Sequence, residues 1–381
     1  MRIIVSGFIG SFCISGITWH YVQYPVGLQL LGHDVYYVED TLGVNNYHDP
    51  SYEWNDPTPV INYLSKTMDF FGFKDRWAYR DGNTGKCFGL SEEKINEICS
   101  TADVIISVSN SIWFREEYMQ IPLRVLIDTD PMFTQVPPDV AQLSLAKFTH
   151  HFSFGSNIMC DDSKVPTLNF LWKSTVQPIC LQYWQNTIMV RPQENQREVF
   201  TTVMNMTPKE KFIHNNEEWG QKDVEFEKIL DLPEKVPEAF FEMLVAGSVN
   251  EDLLSKKGWH LLRKLPEINN SIQNYRDYIK NSFAEFSVAK ETYVKGRTGW
   301  FSDRSACYLA AGRPAIIQET QWSKYIPSGK GVLAFTSLED AAGAVNEVVN
   351  NYEVHSKAAK EIAHEYFDSN KVLSDLISQL S

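Results

Sequence analysis

The chain has no apolar run approaching the roughly 18 residues needed to span a bilayer. The opening Met1-Arg2-Ile3-Ile4-Val5-Ser6-Gly7 is too brief for a secretory h-region and reads as a strand entering a glycine turn. The six cysteines, Cys13, Cys87, Cys99, Cys160, Cys180 and Cys307, show no C-x-x-C spacing, so they read as reduced core residues and the protein as cytoplasmic. Positive charge is scarce: 35 Lys and Arg stand against 48 Asp and Glu, a net charge of -13. That balance disfavours a broad polyanion-binding surface and makes nucleic acid a minority partner. Solenoid repeats and low-complexity tracts are absent too. His150-His151 offers no joint metal site, because adjacent strand residues point to opposite faces.

What is present is a chain of 381 residues, long enough for two α/β domains with sizeable cores. Strand, glycine loop, helix and strand succeed one another over Arg2–Ser6, Gly7–Gly16, about Thr18–Leu31 and Asp34–Val38, a βαβ unit. Two apolar runs, Ala102–Ser109 and Arg124–Pro131, read as buried parallel strands, and Phe152–Gly155 as another. The aromatic, Pro- and Asn-rich stretch from about Tyr47 to Gly89 reads as an irregular helical insertion. The polar segment Tyr183–Arg197 is the expected linker. Beyond it a second α/β set begins, with strands at Val199–Met204, Phe241–Ala246, Trp259–Leu262 and Ala315–Gln318 and a helix near Val224–Leu230. The stretch from Leu338 to Leu380 has helical periodicity. The expected boundaries are 1–188, 198–352 and a terminal helix over 353–381 that packs back on the first domain.

The most informative stretch is Gly299-Trp300-Phe301-Ser302-Asp303-Arg304-Ser305, followed by an apolar helix, a Gly312 turn and a strand. Ser302 or Asp303 is the N-cap, which leaves Arg304 and Ser305 in the first helical turn. Unpaired amides, the positive end of the helix dipole and a guanidinium together make an anion site. The alternative is an ordinary capped helix whose Arg faces water.

Four stretches, Gly16–Pro25, Asp130–Gln135, Trp219–Phe226 and Lys290–Pro314, resemble nucleotide-sugar glycosyltransferases of GT-B architecture. The bacterial ones loosely akin to the glycosyltransferase-like domain of spore-maturation proteins are the nearest in kind. The resemblance implies an α/β fold of two Rossmann-like domains facing a cleft. The acceptor would be held mainly by the first domain and the nucleotide diphospho-sugar mainly by the second, with neither metal nor further cofactor required. In retaining members a glutamate commonly lies five residues before the glycine of the Ala-Gly-x-Pro turn and binds the donor ribose. Here that position is Cys307, and the nearest acid is Asp303, one helical turn earlier.

Glycosyl transfer needs a stabilised leaving diphosphate, and pre-aimed donors supply that. Lys290, Ser302, Asp303, Arg304 and Ser305 are the donor-side candidates, joined by Gln221 and Lys222 before one helix and Glu319 and Thr320 after the strand from Ala315. An inverting transferase also needs a base for the acceptor proton, and His20, just after the glycine-rich loop, suits that role. The alternative is a His packed with Trp19 and Tyr24. Asp128 and Asp130 end a strand at the ligand edge, where they would orient His20, bind acceptor hydroxyls or simply cap a turn. The many aromatics of the first half suit an acceptor pocket with flat walls, or core.

Three rivals remain at this point. A nicotinamide or sugar-nucleotide-modifying enzyme would use G-x-G-x-x-G and an acid after the second strand; Glu39 is present, but Gly7, Gly10 and Gly16 have the wrong spacing. A non-catalytic module would bind nucleotide without turnover. A phage-type transferase would glycosylate modified DNA bases, whereas net acidity favours a small-molecule or glycan acceptor.

Overall fold

The computed structural model describes residues 1–40, 53, 56–185, 198–206, 211–262 and 265–380, with side chains of the last segment from 267 onward. The chain separates into two compact units. The first comprises Met1–Phe154, Thr167–Cys180 and the residues from Ser369 onward; the second comprises Gly155–Pro166 and Leu181–Asp368.

The first unit runs β1 (Arg2–Ser6), α1 (Ile9–Phe12), α2 (Ser15–Leu30), β2 (Asp34–Asp40), α3 (Thr58–Phe70), β3 (Trp77–Arg80) and β4 (Cys87–Gly89). It continues with α4 (Glu92–Thr101), β5 (Val104–Val108), α5 (Glu116–Met119), β6 (Leu123–Asp128), α6 (Pro138–Leu145), β7 (His150–Ser153) and β8 (Trp172–Ser174). Among the described residues the strands form one eight-stranded sheet ordered β4-β3-β2-β1-β5-β6-β7-β8. Only the β3–β4 pair is antiparallel. Ile3, Ile4 and Val5 are fully buried, as a strand covered on both faces requires. The expected helix from Thr18 begins at Ser15, after a separate turn α1 that ends on left-handed Cys13 (φ 51°). The stretch read as an irregular helical insertion instead supplies α3 and then β3 and β4 to the sheet edge; its residues 47–52, 54 and 55 lie outside the described ones. Trp77-Ala78-Tyr79-Arg80 is four residues long, too short for its β-favouring aromatics to stand out against the surrounding turns.

The second unit contains β9 (Val199–Asn205), β10 (Phe212–His214), β11 (Glu217–Trp219), α7 (Lys222–Glu227), α8 (Leu232–Lys235), β12 (Phe240–Ala246), α9 (Glu251–Lys256) and β13 (Trp259–Leu261). There follow α10 (Leu265–Asn269), α11 (Ile272–Asn281), β14 (Ala284–Ser287), α12 (Glu291–Lys295), α13 (Asp303–Ala310), β15 (Ala315–Gln318), β16 (Val332–Phe335), α14 (Leu338–Asn350) and α15 (Tyr352–Ile362). The main sheet is ordered β13-β12-β9-β14-β15-β16, with every pair parallel. Phe200, Phe241, Trp259, Phe286 and Phe335 fill its core. Strands β10 and β11 form a separate hairpin whose Asn215 and Asn216 both take positive φ (52° and 61°), the backbone a tight hairpin turn demands. The expected linker falls largely on residues 186–197, outside the described ones.

The terminal segment differs from a single returning helix over 353–381. Helix α15 stays with the second unit, and Tyr352 at its start donates from its hydroxyl to the Phe283 carbonyl at 3.0 Å. A π turn over Ala363–Phe367 ends that run, and α16 (Ser369–Ser378) belongs to the first unit, where it packs on α2. Gly27 allows the approach, because a Cβ there would sit 2.5 Å from Leu373 Cδ1. Leu373 is fully buried. Replacing Leu373 by Ala is expected to cost about 2–5 kcal/mol in chemical denaturation, the range for emptying such a site. A loss below about 1 kcal/mol would mean that α16 docks by other contacts.

Candidate functional site

In the second unit β9 leads to β12 on one side and β14 on the other, so the strand order reverses between β9 and β14. Open parallel sheets bind ligands outside the carboxyl ends of their strands at such a point. The loops at that edge are stitched together. Gly220 N donates to Glu291 Oε2 (2.7 Å), Thr292 Oγ1 to the Gly220 carbonyl (2.7 Å), Ala289 N to Gln318 Oε1 (3.1 Å), and Gln318 Nε2 to the buried Glu225. The Gln221 carbonyl accepts from Glu291 N at 3.2 Å. A Cβ at 220 would lie 2.5 Å from Glu291 Oε2, so a larger residue would displace the carboxylate that holds this loop.

The loop into α13 is held just as tightly. Gly299 has φ 75°, a left-handed value that suits glycine, and a Cβ there would lie 2.5 Å from Asn157 N. Its amide donates to the Thr320 carbonyl (2.7 Å), while Thr320 Oγ1 donates to the Trp300 carbonyl (2.7 Å). Thr320 is buried and works as a brace for this loop. Glu319 accepts the Gln321 amide and thereby closes its own turn. Both are donor-side candidates from the sequence, and each holds a turn at this edge.

Ser302 is the N-cap of α13 and makes no side-chain capping hydrogen bond. Ser305, one turn on, is fully buried, and its Oγ has no partner among the described residues. The free amides of a helix start beside a hydroxyl without a partner have the chemistry to bind a phosphate. Arg304 does not face water: its side chain is 13% exposed and donates from Nε to Glu285 Oε1 (2.8 Å) and from Nη2 to Ser287 Oγ (3.0 Å). Burial works to lower its pKa, but Glu285, followed by Tyr275, Asp303 and Tyr308, outweighs burial and raises it. Glu285 is completely buried on β14, and its Oε2 is also without a partner among the described residues.

Lys222, at the start of α7, lies within electrostatic reach of this group. Burial first, then the positive charges of Arg304 and Lys290, push its ammonium down to about 7, against the pull of Glu285 and Asp303. Lys290 caps α12 with its Nζ 5.0 Å from the centre of the Tyr293 ring. The structure therefore brings Lys222, Lys290, Asp303 and Arg304 together, with Ser302 and Ser305 flanking Arg304 in the chain. Sequence reasoning missed Glu285. Its signal was a carboxylate inside the apolar strand Ala284-Glu285-Phe286, since such a charge is almost never fully buried unpaired.

In the first unit the strand order reverses between β1 and β5, and α2 starts from that edge. His20 is half-buried on α2 among Tyr21, Tyr24 and Phe154, at ring-centre distances of 4.6, 6.5 and 6.0 Å. Asp128 is fully buried at the end of β6. Its oxygens accept from Thr134 Oγ1 (2.6 Å), Gln135 Nε2 (2.9 Å), Ser153 Oγ (2.7 Å) and Asp130 N (3.1 Å). Asp128 thus builds the turn after β6 and does not orient His20. Burial raises its pKa, opposed by those three side-chain donors. Asp130 is half-buried in the same turn. Glu39 has no room for a cofactor ribose, because its carboxylate receives Gly10 N (2.9 Å), Ser11 N (2.6 Å), Ser11 Oγ and Tyr37 Oη (2.8 Å). Among the described residues no group of three or more His, Cys, Asp or Glu is placed to hold a metal ion.

The depressed pKa of Lys222 has a measurable consequence. In the unfolded chain the ammonium returns to an ordinary value near 10.5, so between about 7 and 10.5 the unfolded state binds more protons and stability rises with pH. A polyanion bound beside Lys222 would reverse the preference and draw a proton onto it. Calorimetry of inorganic pyrophosphate in buffers of different ionisation enthalpy at pH about 8 is expected to show proton uptake, and Lys222→Met to abolish it. Equal uptake in the variant would remove Lys222 from the anion site.

No protein-family model matches this chain, and no curated protein matches it in sequence. Solved structures do. An alpha-glucosyltransferase in complex with UDP superposes with a TM-score of 0.60 at 12% identity, covering 100% of this chain and 99% of that one. AviGT4, a glycosyltransferase involved in avilamycin A biosynthesis, does so with 0.54 at 9% identity, covering 100% and 97%. The sucrose-phosphate synthase of Thermosynechococcus elongatus gives 0.56 at 9%, covering 100% and 99%. Likeness at such low identity speaks to fold, and on that the three agree over the whole length: the chain has the GT-B glycosyltransferase fold.

Proposed function

We propose that this protein is a glycosyltransferase that moves a sugar from a nucleotide diphospho-sugar to an acceptor hydroxyl. The observation that carries the reading is the convergence of Lys222, Lys290 and Arg304 on the start of α13 at the β9/β14 reversal, three cations drawn together with Glu285 and Asp303 as the facing acids. Such crowding is unfavourable in the empty protein and is relieved by a bound polyanion. A diphosphate fits that charge and the free amides at the start of α13. The alpha-glucosyltransferase of like fold is solved with UDP, which makes a uridine nucleotide the first donor to test.

In the reaction the bond between the anomeric carbon and the β-phosphate oxygen breaks, its electron pair leaving with the diphosphate. Side-chain cations and α13 amides meet that growing charge, so the reading needs neither metal nor further cofactor. The acceptor oxygen forms the new bond to the anomeric carbon, and its proton passes to His20, the general base of this reading. Gln221 adjoins Lys222 in the same loop and completes the donor side.

Two substitutions separate the roles. Lys290→Ala is expected to weaken UDP binding by roughly 10- to 100-fold, the value of a hydrogen bond to a charged group, with an unchanged fold by circular dichroism. His20→Ala is expected to slow transfer by about 10²- to 10⁴-fold while UDP affinity stays within twofold. Full activity of the His20 variant would end its role as base, and failure of any nucleoside diphosphate to bind the wild-type protein would overturn the transferase reading. Arg304→Ala is the poorer probe, because it strands Glu285 as an unpaired buried charge at about 3–5 kcal/mol.

A further inference from the structure

The loop between α12 and α13 sets where α13 begins, and its backbone is not one that these residues adopt unaided. Arg297 takes φ 50° and Gly299 takes φ 75°. The left-handed region is routine for glycine but unfavourable for a residue with a Cβ, and Arg297 stays there only if its surroundings over-determine it.

Those surroundings come from Gly155–Pro166, a segment that interrupts the first unit between β7 and β8 and belongs to the second. Three successive carbonyls of the loop accept hydrogen bonds from it: Gly296 O from Lys164 N (2.9 Å), Arg297 O from Asn157 Nδ2 (2.8 Å) and Thr298 O from Asn157 N (3.0 Å). Gly155 forms an isolated antiparallel bridge with Trp300. Asn157 thus grips the loop with both its main chain and its side chain.

The Asn157 side chain is itself held on every side. It is fully buried. Nδ2 gives its second hydrogen to Asp162 Oδ1 (2.9 Å), while Oδ1 accepts from Tyr325 Oη (2.9 Å) and Lys324 Nζ (3.3 Å). The whole hydrogen-bonding capacity of the amide is used, which fixes the side chain and decides which end of the amide faces the loop. Lys324 first, then Arg297 and Asn157, hold the Asp162 carboxyl well below the usual carboxylate range, so it remains an acceptor. An aspartate at 157 would set a carboxylate oxygen against Asp162 and the Arg297 carbonyl, where two donors are needed.

The loop carries this order to the donor side. Ser302 is the N-cap of α13, and Arg304 reaches Glu285 from its first turn. At the other end of α12 stands Lys290, whose Nζ lies 5.0 Å from the centre of the Tyr293 ring, and that ring lies 4.5 Å from Trp300.

Resting on the transferase reading, we propose that Asn157 is a positioning residue for the donor. It fixes the loop Gly296–Phe301 and thereby the amides and the Arg304 guanidinium at the start of α13, so its loss weakens diphosphate binding although it touches neither donor nor reacting atoms.

The test is calorimetry of UDP and of inorganic pyrophosphate with the full chain, together with hydrogen exchange of peptides covering residues 296–302. Asn157→Ala is expected to raise both dissociation constants about tenfold, the value of one or two lost hydrogen bonds. It is also expected to speed exchange at Gly299, whose amide donates to the Thr320 carbonyl. Tyr325→Phe removes one of the bonds that orient Asn157 and is expected to shift both constants the same way by about two- to threefold. That variant carries the test should Asn157→Ala not fold. Leu373→Ala loosens α16 in the first unit and controls for lost stability alone; both constants are expected to stay within twofold. Unaltered affinities in the Asn157 and Tyr325 variants, or an equal loss in Leu373→Ala, would overturn the proposal. Wild-type protein that binds neither ligand would overturn the transferase reading and this proposal with it, so the wild-type titration tells the two failures apart.

Discussion

The candidate site depends on one buried ion pair. Glu285 sits inside an apolar parallel strand with no exposure to water, and Arg304 reaches it from the first turn of α13. Two charges taken out of water in this way seldom stabilise a fold more than a well-packed apolar pair would. What the pair does supply is position. It fixes a guanidinium at the point where strand order reverses, with Ser287 as a second anchor, and it leaves the neighbouring Ser305 hydroxyl unengaged. Lys222 then feels a fixed positive charge that it cannot escape. Its pKa is lowered first by burial and then by the neighbouring charges of Arg304 and Lys290.

That pre-assembly is what a leaving diphosphate requires. Charge develops on the phosphate oxygens as the sugar bond breaks, and donors already in place need no reorganisation at that moment. The braces around the site serve the same end. Thr320 Oγ1 holds the Trp300 carbonyl, Gly299 lies against Asn157, and the Glu291 carboxylate clasps the Gly220 amide, so the loops are fixed by side chains that bond to one another's main chain.

The sequence made some of this legible because the signals were local. Ser302 before Asp303-Arg304 announces a helix start within four residues, and Gly312 announces its end. Lys222 was likewise visible, placed between a strand and a helix. Glu285 was not, since its meaning depends on a partner 19 residues away. Asp128 shows the converse failure: an acid at the end of a buried strand looks the same whether it meets a ligand or builds a turn, and only the positions of Thr134, Gln135 and Ser153 decide. Glu319 and Thr320 fall to the same ambiguity. Strands β3 and β4, of four and three residues, carry too little pattern to be separated from the turns around them, and α15 and α16 share one helical period although they belong to different units.

The two units have the same kind of sheet with one reversal of strand order apiece, yet the charged groups at their edges differ: cations gather near the start of α13, whereas Glu39, Asp40 and Asp128 of the first unit are buried in turns and ion pairs. The reaction proposed here explains why they should. A donor with a diphosphate needs cations at one edge. A base that takes up a proton becomes positive, so the edge that carries it does best with carboxylates such as Asp130 and without competing cations. Arg80 and Arg115 are consistent with that demand, because Asp40 neutralises them in place.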